Sequence, residues 1–153
     1  MMMKMTYKGF VVNVYDPLNY DIDIVLLDKE YKMKVIHNNY CYKNVLQDGT
    51  LSLEYSSCSY RCRLNGIEIN NKHYSKHHVK QMMVEIKKLV DREDGWVNCI
   101  IYGVDIFNRL LVDIILPHLN IDLCQYILNK SAMLTNTLYL KYHPKKILNQ
   151  VDS

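Results

Sequence analysis

Alternating hydrophobic and polar residues predict two β-hairpins in the first half of the chain. Residues 10–15 (FVVNVY) and 20–26 (YDIDIVL) have the period of two that is typical of β-strands, and the turn sequence DPLN joins them. Residues 51–55 and 60–69 are a second pair of strand-like segments, with the turn-forming residues 56–59 between them. The pattern therefore predicts that hairpins dominate the start of the fold.

The second half of the chain combines a helical period with two further strands. Between residues 75 and 91, apolar side chains recur at helical spacing and lysines fill much of the rest, which predicts an amphipathic helix with a basic solvent face. Residues 96–102 and 110–116 are apolar runs of strand length and predict a third hairpin-like connection. A last helix is predicted to follow Asn120 or Asp122 and to end near residue 130.

These elements fit one domain that spans residues 1–153, because a chain of 153 residues can enclose a single hydrophobic core. Residues 28–44 carry much charge and show no clear period. We interpret the region as an insertion around 28–50, and one further pair of strands is the alternative. Residues 134–153 are interpreted as a short C-terminal extension. The mixture of separate strands and helices indicates the α+β class.

Composition and charge narrow the class of protein only a little. Hydrophobic residues make up 49% and charged residues 23%, which is ordinary globular composition. The formal net charge of +3 permits an anionic partner without requiring one. The sequence has neither the long apolar run of a transmembrane helix nor an apolar stretch of signal-peptide length at its start, so we expect an intracellular protein with no membrane partner.

Two short motifs resemble those of the staphylococcal-nuclease-like (thermonuclease) family. Residues 63–68 read RLNGIE, similar to that family's R-L-x-G-I-D, and residues 105–114 read DIFNRLLVDI, similar to its D-K-x-G-R-x-L-x-x-I. The order of the two motifs, one on each side of a basic amphipathic helix, also matches that of the family. The resemblance implies a five-stranded OB-type β-barrel with about three packed helices, a fold that suits nucleic-acid binding.

The resemblance also assigns catalytic positions. Arg63 and Arg109 fall on the two arginines that contact the phosphate, where a planar guanidinium can bind two oxygens at once. Glu68 falls on the position of an aspartate that binds a calcium ion (Ca2+), and it is one methylene longer. Asn71 falls on the general-base position, and an amide cannot accept a proton at neutral pH. The loss of a positioned base costs about 10²- to 10⁴-fold in rate.

The turn that supplies the remaining calcium ligands has two alignments. In the first, residues 14–24 are the ligand-bearing hairpin, and Asp16 and Asp21 join Glu68 as the implied metal ligands. In the second, residues 47–55 take that place, and Gly49 occupies the ligand position. The first alignment is favoured because it uses the best early strand pair, and the second remains open because it runs without gaps into the first motif.

The residues that match and those that differ together predict a degenerate nuclease fold. The main hypothesis is a catalytically impaired homologue that binds nucleic acid or nucleotide phosphates through Arg63 and Arg109. One alternative is an active Ca2+-dependent nuclease with a rearranged site, and the other is a structural or protein-interaction module that uses only the fold. Asn108 stands where the family commonly has glycine, and Asn tolerates positive φ, so we expect the hairpin that carries Arg109 to survive.

Overall fold

The computed structural model describes residues 5–45, 51–69, 76–135 and 140–142, with side chains described for 5–39, 58–67 and 76–130. Asn70, Asn71, residues 46–50 and most of the C-terminal extension lie outside the described residues. Across the described part of the chain, none of the helices is both long and apolar enough to cross a membrane.

Along the described chain, runs of one to three strands are separated by single helices. The strands are β1 (Thr6–Asp16), β2 (Asn19–Ile24), β3 (His37–Val45), β4 (Leu51–Leu64), β5 (Ile67–Ile69), β6 (Trp96–Val104), β7 (Leu110–Leu116), β8 (Ile121–Asp122) and β9 (Leu140–Tyr142). The helices are α1 (Lys29–Lys34), α2 (Lys76–Arg92) and α3 (Leu123–Thr135).

Five of these strands close into a barrel. The circuit runs β1–β2–β4–β7–β6 and returns to β1, and its pairings are antiparallel except for the parallel contact of β4 with β7. β3 extends the sheet beyond β4, β8 pairs with β7, and β5 pairs with β9. The predicted α+β fold with a five-stranded OB-type barrel and about three helices is confirmed.

The barrel interior follows directly from the period of two along each strand. Tyr20 and Ile22 in β2, and Val97 and Cys99 in β6, point inward and are almost fully buried. The hydroxyl of Tyr20 donates to the carbonyl oxygen of Pro17 at 2.6 Å, so burial leaves this polar group satisfied. Apolar residues at helical spacing on α2 pack against the same core, namely Met82, Ile86, Leu89 and Val90.

One predicted hairpin is wrong. Residues 51–55 and 60–69 were expected to be separated by a turn at 56–59, but β4 runs through that turn as one strand. The reason is the partner strand: β3, which lies in the segment predicted as an insertion, pairs with β4 in antiparallel register from His37 opposite Tyr60 to Val45 opposite Leu51. Its ladder of hydrogen bonds keeps the serine-rich stretch extended, which local propensity does not reveal.

The other predicted elements are confirmed, with small changes at their ends. β1 and β2 form the first hairpin, and β6 and β7 form the hairpin that carries the second motif. Asn108 has a φ of 61°, as expected for the residue in the family's glycine position. α3 begins directly after Asp122, whose Oδ1 accepts a hydrogen bond from the backbone N–H of Cys124 at 3.0 Å and so caps the helix.

Candidate functional site

Arg63 in β4 and Arg109 in the turn just before β7 both approach the same residue, Asn19. Arg63 in β4 is the direct register partner of Asn19 in β2, and such partners lie about 4.5–5.5 Å apart between Cα atoms. Nη1 of Arg109 donates to Oδ1 of Asn19 at 3.0 Å. Arg63 is also paired with Leu111, which lies two residues beyond Arg109 in the sequence. The fold therefore brings both predicted phosphate-binding residues to one outer region of the barrel.

Arg109 is held in a fixed orientation by a buried carboxylate. Oδ2 of Asp105 accepts hydrogen bonds from Nε of Arg109 at 2.8 Å and forms an ion pair with Nη2 at 2.7 Å. The guanidinium also lies 5.1 Å from the ring centroid of Phe107. Its five N–H groups are only partly used by these bonds, and the Arg109 side chain keeps 23% exposure. Asp105 therefore orients the guanidinium without enclosing it.

The turn between β6 and β7 is built around the same aspartate. Oδ1 of Asp105 accepts hydrogen bonds from the backbone N–H groups of Phe107 and Arg109, each at 2.9 Å. The backbone N–H of Asp105 donates in turn to the carbonyl oxygen of Arg109 at 2.9 Å. The sequence reasoning assigned no role to Asp105. The sequence feature that indicates this role is the position of Asp105 four residues before Arg109, with the left-handed Asn108 between them.

Asp16, a predicted metal ligand, forms the turn between β1 and β2. Its Oδ1 accepts the backbone N–H groups of Leu18 at 2.8 Å and Asn19 at 2.9 Å, which is the pattern of an Asx turn. The side-chain amide of Asn19 donates to Oδ1 and Oδ2 of Asp16 at 3.1 and 3.0 Å. Asn19 therefore links Asp16 to Arg109, with its amide nitrogen bound on one side and its amide oxygen on the other.

Asp21, the second predicted ligand, is buried in a separate network. Oδ1 of Asp21 accepts a hydrogen bond from Nε of Arg61 at 2.9 Å. Oδ2 accepts hydrogen bonds from Nδ2 of Asn38 at 3.1 Å and from the hydroxyl of Tyr15. The Arg61 guanidinium stacks 4.2 Å above the Tyr15 ring centroid. Burial alone would lower the pKa of Arg61, but the hydrogen bond and charge of Asp21 outweigh it and raise that pKa. Sequence reasoning missed Arg61.

Arg63 in β4 lies between β2 and β7, opposite Asn19 on one side and Leu111 on the other. Its Nη1 donates to the carbonyl oxygen of Leu64 at 3.4 Å, and it makes further interactions. It is also close enough to influence the thiol of Cys124. Burial raises the pKa of Cys124 to about 12, Asp122 and Asp113 add to the increase, and the positive charge of Arg63 opposes it.

The implied calcium site is only partly visible. Within the described part of the chain, no three His, Cys, Asp or Glu side chains converge as a metal site requires. Asp16 and Asp21 belong to separate hydrogen-bond networks. The backbone of Glu68 pairs with Lys141 in the β5–β9 ladder, but the Glu68 side chain and Asn71 lie outside the described residues. The metal-ligand and base assignments therefore stay predictions.

Comparisons with known proteins add a structural likeness at low identity. No protein-family model matches the chain, and neither does any curated protein. A solved structure that is similar is the extended Tudor domain TD3 from mouse TDRD1 in complex with a MILI peptide containing dimethylarginine 45. The TM-score is 0.48 at 10% sequence identity, with 93% of this chain and 95% of that chain covered. The function of the chain must therefore be inferred from its own side chains.

Proposed function

We propose that this chain is a non-catalytic barrel module that binds the phosphates of nucleic acid or nucleotides through Arg63 and Arg109. The observation that carries the proposal is the approach of both arginines to Asn19, one by strand register and one by a side-chain hydrogen bond. Two guanidinium groups that converge on one surface region suit a phosphate, which offers several acceptor oxygens.

The ion pair with Asp105 determines how strong this binding is. A side chain that is already oriented loses less entropy when a ligand arrives, which favours Arg109 as a contact. The carboxylate of Asp105 also offsets the positive charge that attracts a polyanion. We therefore expect modest affinity with a clear dependence on salt.

Catalysis is not favoured, for two physical reasons. Asp16 and Asp21 already accept several hydrogen bonds, so metal binding would have to compete with the turn and with the Arg61 pair. Asn71 at the position of the general base also removes the group that would activate water. Cleavage of DNA or RNA that required Ca2+ and stopped on addition of a chelator would instead establish the active nuclease.

The proposal is tested by fluorescence anisotropy with labelled single-stranded DNA, single-stranded RNA and duplex DNA at low salt. We expect Arg63→Ala with Arg109→Ala to weaken binding by about tenfold or more. The double variant Lys29→Ala with Lys32→Ala removes the same charge from exposed positions on α1 and should change binding little. Equal affinity of the arginine variant and the wild type would refute the proposal.

Protein folding is controlled separately, because Arg109→Ala leaves the buried carboxylate of Asp105 without its partner. Circular dichroism of each variant establishes that the barrel is intact. The single variant Arg63→Gln leaves the Asp105–Arg109 pair untouched and should still weaken binding several-fold.

A protein partner is a second candidate, and a specific observation favours it. Ile106 and Phe107 at the tip of the β6–β7 turn are 68% and 62% exposed. The exposed Ile36 is joined to the same turn, because its backbone N–H donates to the carbonyl oxygen of Asn108 at 2.9 Å. Exposed apolar groups close together are typical of interaction surfaces. Ile36→Ser with Ile106→Ser should abolish a protein complex and leave oligonucleotide affinity unchanged, because neither side chain contacts Arg63 or Arg109 in the bonds described above.

A further inference from the structure

The only tryptophan in the sequence stands on the outer surface of the barrel, at the first position of β6. Trp96 is 40% exposed, and its ring meets that of Phe10 in an edge-to-face contact with 5.3 Å between centroids and 65° between planes. Nζ of Lys8 lies 4.6 Å from the Trp96 ring centroid. An exposed aromatic ring and an exposed cation therefore stand side by side on neighbouring strands.

The backbone around Trp96 is shaped to hold this arrangement. Gly95 has a φ of +84°, and a Cβ atom at that position would lie 2.5 Å from Cε2 of Phe10. The Phe10 ring can thus lie directly against the glycine backbone. The backbone N–H of Val11 donates to the carbonyl oxygen of Gly95 at 2.9 Å, which ties the turn to β1. Phe10 is fixed by this packing and supports one edge of Trp96.

This cluster is distant from the two arginines. Trp96 begins β6 and Val104 ends it, immediately before Asp105. Eight residue steps of a regular strand cover about 26 Å, and the irregularity of β6 between Ile101 and Gly103 shortens this somewhat. A ligand at Trp96 therefore occupies a different part of the surface from a phosphate at Arg63 and Arg109.

We propose that Trp96, supported by Phe10 and accompanied by Lys8, is a stacking site for a base of single-stranded nucleic acid. The proposal rests on the proposed function and adds a second contact to it. Every nucleobase has a planar face that can lie on an indole ring, and the Lys8 ammonium, once displaced, can reach the adjacent backbone phosphate.

The strengths of the two contacts favour replacement of the Lys8 ammonium by a base on the Trp96 ring. Stacking of one base on an aromatic side chain changes affinity by roughly 5- to 150-fold. The exposed Lys8–Trp96 contact that it replaces corresponds to about 2- to 5-fold. Carboxylates are also near, since Asp23 is the register partner of Phe10 on the β2 side and the exposed Asp94 is two residues before Trp96. The contact should therefore depend on the base and only weakly on salt.

Tryptophan fluorescence tests the site directly, because Trp96 is the sole source of the signal. The full chain is titrated with a labelled deoxythymidine oligonucleotide, and anisotropy of the label is followed together with Trp96 emission. An abasic oligonucleotide of the same length supplies the phosphates without the bases. We expect saturable quenching of Trp96 by the first oligonucleotide and little by the second.

Variants separate stacking from folding. Trp96→Ala should weaken binding by about fivefold or more at every salt concentration, whereas Trp96→Phe keeps an aromatic face and should retain most of the affinity. Anisotropy that reports binding with unchanged Trp96 emission and unaltered affinity of Trp96→Ala would overturn the stacking site and leave the proposed function standing. Absence of any anisotropy change would overturn both.

Discussion

Asp105→Asn is the sharpest test of how the candidate site is built. The substitution keeps an oxygen that can accept the backbone N–H groups of Phe107 and Arg109, now at 2.9 Å from Oδ1. It replaces the oxygen that faces the guanidinium with an NH2 group, so two donors oppose each other where Arg109 is now bound at 2.7–2.8 Å. The change therefore removes the ion pair and spares the turn.

The expected loss follows from the geometry. Each hydrogen bond to a charged group contributes about 1.5–3 kcal/mol, and breaking a buried pair costs about 3–5 kcal/mol. Because Arg109 keeps 23% exposure, water recovers part of this, and we expect a loss of about 2–4 kcal/mol. For a domain of this size the melting temperature should fall by about 5–15 °C.

Thermal and urea unfolding, followed by circular dichroism, measure the effect. The matched control is Asp91→Asn, the same chemical change on the exposed surface of α2, which should shift stability by less than about 0.5 kcal/mol. A double-mutant cycle with Arg109→Met isolates the pair and should give a coupling of about 2 kcal/mol. Wild-type stability of Asp105→Asn, or a coupling near zero, would refute the reasoning about this pair.

Three further predictions concern the rest of the fold. Burial alone would raise the pKa of Glu93. The Glu93 carboxylate, however, accepts hydrogen bonds from the backbone N–H and the ring of His118 and from the backbone N–H of Leu119, and these outweigh burial and lower its pKa. The ionised Glu93 therefore stabilises the protein at pH values above the usual glutamate pKa of about 4.3. The melting temperature should fall as the pH drops below that value, and it should fall less steeply for Glu93→Gln than for the wild type. Gly95→Ala should destabilise by about 2 kcal/mol or more in urea, because a left-handed φ and the Phe10 ring both oppose a Cβ atom. Burial raises the pKa of the Cys99 thiol to about 12, so iodoacetamide at pH 8 should alkylate it only after unfolding, as measured by mass spectrometry.

Each of these has a distinct contrary outcome. Equal pH profiles for Glu93→Gln and the wild type would show that the carboxylate is not the acid-sensitive group. Gly95→Ala with wild-type stability would mean that the turn relaxes without cost. Rapid alkylation of Cys99 in the folded protein would show that the barrel interior opens to reagents.

The sequence predicts best where strands and helices have a clear local pattern. The β1–β2 hairpin, α2 and the β6–β7 hairpin are all visible in the order of apolar residues. The left-handed conformation of Asn108 agrees with its place at the glycine position of the resembling motif and with the tolerance of Asn for positive φ. The serine-rich part of β4 is different, because it is extended only through its pairing with β3, and propensity at 56–59 favours a turn.

The site is predicted less completely than the fold. Motif resemblance selected Arg63 and Arg109, and the barrel does bring both to Asn19. The pairing of Arg61 with Asp21 is decided by the register of β2 against β4, forty residues apart in sequence, so no local pattern contains it. Asp16 and Asp21, which the resemblance implied as metal ligands, accept hydrogen bonds within the protein, a role that only three-dimensional neighbours reveal.

The most direct test of the central claim is the salt dependence of binding to a single-stranded oligonucleotide. Each phosphate contact contributes about 0.7 to the slope of log affinity against log salt concentration. Arg63→Ala with Arg109→Ala should therefore reduce the slope by about 1.4, while Lys29→Ala with Lys32→Ala leaves it unchanged. A folded arginine variant with the wild-type slope and affinity would show that Arg63 and Arg109 do not contact phosphate.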